Sequence, residues 1–471
     1  MQSKPVDASR DNNLESFNAI PTVPPIHRIP YELLSDIMLC VLTLHWESDE
    51  WGTDDYDWII PSQLLRLCSI CQRWRQVALT SPRLWTLEFF PLLPDYGETS
   101  VAINGMFLKH SAQSAISIQL YSDTHPQRET IDELVSAAHR WKSFNVFYDH
   151  VPALFDSEFL ARMAVGGMQS LEELFLRTPP WPEMATRLDI FQHAPRLRDV
   201  GLQMDGTISQ IPPLPWTQLT RLALKYMSPQ LCLDILVRCE NLVHGRFETD
   251  QWQRLPRDTS TCVLKYMEEL EISIDIRSVD EHLDPFLRHL ELPALKSLTL
   301  RLYFYRHPEY ARSILWLAPT LNTFLTKSPR VERLELCDCA FAEDVPEILR
   351  HTPFLTHLCF NPRFTGDIHD EFFEALWYDS TAPDAMLVPK LENLELYNTG
   401  VDFGEESVLE MIESRWASDE DLANMDSPSR VARLKQVSFH SYMLEPPLQK
   451  FSEAFMEKIS MYQGFTFEWY Q

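Results

Sequence analysis

Ten copies of one six-residue apolar pattern run through the chain from Leu171 onward, and they limit its fold more than any other feature. They are LEELFL (from Leu171), LRDVGL (Leu197), LTRLAL (Leu219), LVHGRF (Leu242), MEELEI (Met267), LKSLTL (Leu295), VERLEL (Val331), LTHLCF (Leu355), LENLEL (Leu391) and LKQVSF (Leu434). Successive starts lie 22 to 43 residues apart, a period that marks a stacked array. The last two apolar positions of each piece alternate with other residues, as a strand with one buried face requires. Pro195, Pro293, Pro329, Pro353 and Pro389 stand just ahead of five pieces. Proline cannot continue a helix, so it parts a preceding helix from the new strand. Between strands, SPQLCLDILVRC and DEFFEALWY carry helical apolar spacing. Each unit is therefore expected to be a strand followed by a helix, and neither buries its apolar face until the units stack. The expected fold class is α/β, a solenoid with parallel strands on one face and helices on the other. LVHGRF is the weakest member, because Gly245 stands where an apolar residue is expected. AISIQLYS and WKSFNVFY are expected to begin the sheet, and FTFEWY, after the FSEAFMEKI helix, to close it.

This pattern resembles the leucine-rich repeat, whose fuller form is LxxLxLxxN/CxL. VERLELCDCAF meets it best, with Cys339 in the Asn/Cys position and Phe341 in the last apolar one. Other units lack the asparagine ladder: LENLELYNTGV puts Thr399 there and LEELFLRTP puts Pro179. The resemblance covers Leu171 to Phe439 and implies an irregular solenoid that binds other proteins.

At 471 residues, with 45% apolar and 23% charged residues, the chain has the make-up of a globular protein. Its longest apolar run, IMLCVLTL, is far short of the roughly 20 residues that span a bilayer. The polar start MQSKPVDASRDNNLESFN has no apolar signal region, so the expectation is a cytoplasmic or nuclear protein, not a secreted one. Nine scattered cysteines fit free thiols better than a disulfide framework. A net charge of −27 repels phosphate backbones and anionic membranes, which argues against nucleic acid and membrane partners. Neither GxGxxG nor GxxxxGK[ST] occurs, nor HExxH or GxSxG, and the fifteen histidines lack ligand spacing. No catalytic residue, metal or cofactor is assigned.

Ahead of the repeats, residues 1–25 read as a flexible polar tail. IPYELLSDIMLCVLTL follows as a helix whose Leu33, Leu34, Ile37, Met38, Val41 and Leu44 form one apolar side. The acidic-aromatic stretch 45–61, with Trp46, Trp51 and Trp58, reads as a loop. A second helix is expected over 63–78, with Cys68 and Cys71 both in its apolar half. That placement favours packing over redox chemistry, which wants a cysteine exposed at a helix start. A zinc site would need two further ligands, and no His or Cys follows Cys71 before His110.

The whole frame of residues 26–90 then resembles the F-box, a motif that docks on the Skp-type adaptor of cullin–RING ubiquitin ligases. The matching positions are Ile29, Pro30, Glu32, Leu33, Leu34, Ile37, Leu64, Leu67, Cys71, Trp74, Arg75, Leu84 and Trp85. The resemblance implies adaptor docking through these residues and, through the adaptor, assembly with cullin and RING subunits. Residues 91–471 would form the solenoid and present a target protein. Strand positions that point away from the helices are the candidate target surface: Phe175, Arg177, Lys225, Glu271, Thr299, Arg301, Glu335, Cys337, Glu395, Tyr397 and His440. Their chemistry is mixed, with neither an aromatic stripe nor a uniform charge expected. The other reading of the N-terminal helices is a cap on a solenoid scaffold with no ubiquitin role.

Overall fold

All ten pieces become strands, and each strand begins two residues after the first apolar position of its piece. In the computed structural model, which describes residues 28–43, 56–86, 98–121, 128–147, 162–163, 167–178, 188–204, 210–249, 255, 261–275, 284–303, 318–338, 340–362, 368–378, 386–399, 402–416, 431–440 and 451–470, the strands are β1 Ile116–Tyr121, β2 Trp141–Phe147, β3 Glu173–Thr178, β4 Asp199–Met204, β5 Arg221–Lys225, β6 His244–Thr249, β7 Cys262–Val263, β8 Glu269–Asp275, β9 Leu290–Glu291, β10 Ser297–Tyr303, β11 Arg333–Cys337, β12 His357–Asn361, β13 Asn393–Tyr397, β14 Gln436–His440 and β15 Thr466–Tyr470. All but β7 and β9, which pair with each other, lie in one 13-stranded sheet. Every pairing in it is parallel and every neighbour follows in chain order. AISIQLYS and WKSFNVFY open it as β1 and β2, and FTFEWY closes it as β15. The molecule is a leucine-rich-repeat-like α/β solenoid.

The fixed offset has a backbone cause. The residue after the first apolar position turns its carbonyl toward the next unit, where it accepts two amides. Nine such carbonyls run in series, from Glu172, Arg198 and Thr220 to Thr356 and Glu392, with N···O distances of 2.7 to 3.1 Å. Glu172 O, for example, accepts from Arg198 N at 2.9 Å and Asp199 N at 3.1 Å. This ladder satisfies the turn as well as the strand and locks the register of each unit to the one before. The prolines act one step earlier. In Ala194–Leu197, Leu292–Leu295, Thr352–Leu355 and Val388–Leu391 the first carbonyl accepts the fourth amide, with proline second. That is the turn position its fixed φ suits.

Inward positions form two continuous apolar ladders, such as Leu174, Val200 and Leu222 on one level and Leu176, Leu202 and Leu224 on the next, all buried. Gly245 is the exception in the first, and its neighbours explain it. A Cβ there would lie 2.8 Å from Met267 Cε and 3.1 Å from Phe247 Cε2, so larger side chains already fill the space.

The helix layer is less regular than one helix per unit. Helices follow β5 (Pro229–Leu236), β10 (Ala318–Lys327) and β13 (Glu405–Arg415), but among the described residues β3 and β4 are followed only by 3-10 turns, Leu188–Phe191 and Trp216–Gln218. Pro212, Pro213 and Pro215 remove three amide donors ahead of Trp216, which leaves no helix to build there.

The N-terminal helices are α1 Tyr31–Thr43, α2 Tyr56–Ile70 and α3 Gln72–Thr80, followed by the 3-10 turn Pro82–Trp85 and α4 Glu98–His110. The single helix expected over 63–78 is thus two. Cys71 is extended, at φ −159° and ψ 170°, and caps the start of α3 without a side-chain bond. The helical backbone begins at Tyr56, so the expected loop does not extend to residue 61. The tail 1–25, residues 45–55, the side chains of Trp46, Trp51 and Trp58, and Cys339 lie outside the described residues. Among the described residues no helix is long and apolar enough to cross a membrane.

Candidate functional site

Helix α1 carries two apolar stripes side by side. Leu34, Met38 and Leu42 are 0 to 2% exposed and enter the core, whereas Leu33, Ile37 and Val41 are 56, 43 and 37% exposed. Each set repeats every four residues, so each lies along one helix face. The inner stripe shares a core with Leu64 and Leu67 of α2, Val77 and Ala78 of α3, and Leu84 and Trp85. Trp85 fixes this core to the solenoid. Its Nε1 donates to Ala78 O at 2.7 Å, and its ring meets Phe107 of α4 edge-on at 5.0 Å. Five of the candidate adaptor contacts, Leu34, Leu64, Leu67, Leu84 and Trp85, therefore face inward. Their part is to hold the outer surface in place.

The other candidates stand at or near the surface. Pro30, Glu32, Leu33, Ile37 and Arg75 are exposed, and Ile29, Cys71 and Trp74 are half-buried. The Arg73 guanidinium, which sequence reasoning passed over, lies 4.7 Å above the Tyr31 ring and donates to the Ile29 carbonyl. It ties α3 to the start of α1 through a cation–π contact. Arg83 pairs with Asp36 at 3.2 Å between exposed side chains. Exposed Ile70 and Leu79 were also missed, since nothing in their local pattern distinguishes them from packed residues. Burial pushes the Cys68 thiol above its ordinary value, with the Arg75 charge opposing, which is the reverse of the shift that activates a redox thiol.

On the solenoid all the candidate target residues fall on the outward side of the sheet, opposite the inward ladders. Phe175, Glu271, Thr299, Glu335 and Glu395 share one strand position, and Arg177, Lys225, Arg301, Cys337, Tyr397 and His440 the next. Phe175 covers Gly201, where a Cβ would meet its ring at 2.4 Å, and stacks on Phe147 at 4.8 Å. Much of the remaining charge is matched within the sheet. Lys225 pairs with Glu248 at 2.7 Å. Arg301 bridges Glu271 and Glu335, reaching Glu335 Oε1 from Nε at 3.0 Å and from Nη2 at 2.7 Å. Burial alone would lower the Arg301 pKa, but the bonds and charge of Glu335, with Glu271 behind it, raise it. The Cys359 thiol is pushed up by its hydrogen bond to Cys337 and by burial.

The expectation of no aromatic stripe fails at the C-terminal end. Tyr397, His440 and Tyr470 stack across β13, β14 and β15, with centroids 4.3 and 4.6 Å apart and planes within 9 and 10°. Tyr470 was missed because only the strand register aligns it with the other two. Elsewhere, clefts of about 560 and 440 Å³ at the strand starts share Arg198, Thr220 and Val243. Among the described residues no group of three or more His, Cys, Asp or Glu is arranged to hold a metal ion.

No family model matches the chain, and no curated protein matches it. Solved structures do. A chain of the crystal structure of the Rad7 and Elc1 complex in yeast is 12% identical, with 89% of this chain and 92% of that one covered, at a TM-score of 0.40. The leucine-rich repeat-containing protein LegL7 from Legionella pneumophila is 13% identical, with 79% and 97% covered, at a TM-score of 0.34. The fold rests on the 13-stranded parallel sheet itself.

Proposed function

We propose that this chain is a substrate-recognition subunit of a Skp/cullin/F-box-type ubiquitin ligase. Its N-terminal helices dock on the Skp-type adaptor, which links it to cullin and RING subunits, and its outward sheet face holds a target protein. The chain contributes no catalytic residue in this reading; ubiquitin transfer belongs to other subunits. One observation carries the proposal: the outer stripe of α1, Leu33, Ile37 and Val41, is left uncovered on a helix whose neighbouring stripe is fully packed. An exposed apolar stripe held out by a rigid backing marks an interaction site, in which the few residues that anchor the partner cost ~2 kcal/mol or more on truncation.

The test is retention of a Skp-type adaptor by the full chain. Leu33→Asp with Ile37→Asp is expected to abolish retention while leaving the melting temperature unchanged, since neither side chain is in the core. A folded wild-type chain that retains no adaptor overturns the proposal. The Trp85–Phe107 contact favours a second reading, in which the same helices cap the solenoid. In that case the two aspartates change nothing, and deletion of residues 26–90 destabilises β1 and β2.

A further inference from the structure

The outward face is not electrically uniform, and among the described residues its C-terminal end carries two carboxylates that no cation offsets. In the middle of the sheet Glu248 faces Lys225, and Glu271 and Glu335 share Arg301. From β12 to β15 no outward position of the three aligned rows is Lys or Arg, yet Glu395 and Glu468 stand there, on either side of Ser438. Glu468 accepts hydrogen bonds from Gln436 Nε2 at 2.8 Å and Ser438 Oγ at 3.0 Å, both neutral donors. Among the described residues no cation pairs with Glu395 or Glu468. Beside this row, one strand position on, runs the stack of Tyr397, His440 and Tyr470. His440 covers one face of the Tyr470 ring, and Tyr470, on the last strand of the sheet, is 48% exposed.

We propose that this corner, formed by Glu395, Glu468 and the Tyr397–His440–Tyr470 stack, docks a basic segment of a protein partner and takes an arginine side chain as the next plate on Tyr470. A guanidinium is planar, weakly hydrated and attracted to an aromatic face, and its edge pairs with a carboxylate through two parallel hydrogen bonds. An arginine stacked on the free face of Tyr470 lies beside the Glu468 row, and a second basic residue along the same segment reaches Glu395. The chain's charge of −27 draws such a segment in from a distance. A nucleobase could stack equally well, but its phosphates would meet the same field with the opposite sign.

The proposal deepens the reading of the outward face as the target surface. Its test needs no adaptor, so its failure leaves the adaptor experiment standing. A fluorescent peptide of alternating glycine and arginine is titrated with the full chain at low ionic strength, followed by anisotropy, alongside its lysine counterpart. The arginine peptide is expected to bind about threefold or more tighter than the lysine one. Glu395→Gln with Glu468→Gln is expected to weaken it about tenfold or more. Glu240→Gln with Glu343→Gln makes the same charge change at exposed positions elsewhere and is expected to leave binding unchanged. Tyr470→Ser should erase the preference for arginine, and Tyr470→Phe should keep it, with thermal melts confirming that both variants fold. Equal weakening by the two glutamine pairs means diffuse charge alone and overturns the proposal. So does an arginine preference that survives in folded Tyr470→Ser, or the absence of binding by the wild-type chain.

Discussion

Arg415 ends the Glu405–Arg415 helix with its side chain inside the protein, 3% exposed, and among the described residues no carboxylate is a hydrogen-bond partner. Its guanidinium instead donates to the carbonyls of Leu376, Val388 at 3.1 Å and Leu387 at 2.8 Å, which belong to two separate segments. Burial lowers its pKa to about 10, so it stays charged at neutral pH, held by carbonyl dipoles and the C-terminal end of its own helix. Arg415→Met keeps much of the packing stem but leaves three carbonyls without donors. It is expected to cost about 3–5 kcal/mol, because each buried orphan carries a penalty of ~1–3 kcal/mol. Arg415→Lys should recover only part of that, since an ammonium cannot span three acceptors set for a planar fork. Urea unfolding of the three proteins measures both effects. Equal midpoints for lysine and arginine would show that the fork geometry is not needed.

The same helix shows how elements of different units hold one another. Gly404 occupies its N-cap and has no side-chain oxygen to offer. Asp370, from the preceding unit, supplies one, accepting from Gly404 N and Ser407 Oγ, each at 2.7 Å. Glu405 in turn accepts from Ser452 N at 2.7 Å and Ser452 Oγ at 2.8 Å, at the start of the Glu453–Ser460 helix. The bonds from Gly404 and Ser407 hold the Asp370 carboxyl below its ordinary 3.8. A depressed carboxylate adds stability that is fully present above 3.8 and is lost as pH falls through the lower folded value. Asp370→Ala is therefore expected to cost ~1 kcal/mol near neutral pH, the usual worth of a cap. The gap in urea midpoint between variant and wild type should narrow in acid below 3.8; a gap independent of pH would assign the effect to packing. Such a cap is invisible in sequence, because its two halves lie in different units. The strands were legible for the opposite reason: six letters carry both their alternation and the turn that starts them. The break at Cys71 was not, since the apolar residues of 63–78 satisfy one helix or two. On α1 the pattern shows one broad apolar side, and only packing against α3 and Trp85 decides which half stays uncovered.

At the scale of the molecule, each unit touches its neighbours and little else, so a defect should stay local. Phe439 on β14 tests this. Its ring meets Phe373 and Phe403 from earlier units, at 6.4 and 5.8 Å, and Phe451, Phe467 and Trp469 from the terminal one, at 5.4, 5.7 and 6.5 Å. It joins the C-terminal aromatic cluster to the rest of the core. Phe439→Ala should cost ~3–5 kcal/mol where it acts, the usual range for a buried phenylalanine. In a closed globule that loss would lower protection everywhere. In a linear array it falls on the units that share the ring, while the ladder of doubly accepting carbonyls holds the others in register. Amide hydrogen exchange read by peptide should accordingly rise in β13, β14 and β15 and remain unchanged in β3 to β6. The corner carrying Tyr397, His440 and Tyr470 would loosen with it, whereas the outer stripe of α1, at the far end of the sheet, would not. A uniform rise across the sheet would mean that the units fold as one body, and that a change at the target end can reach the helices at the other.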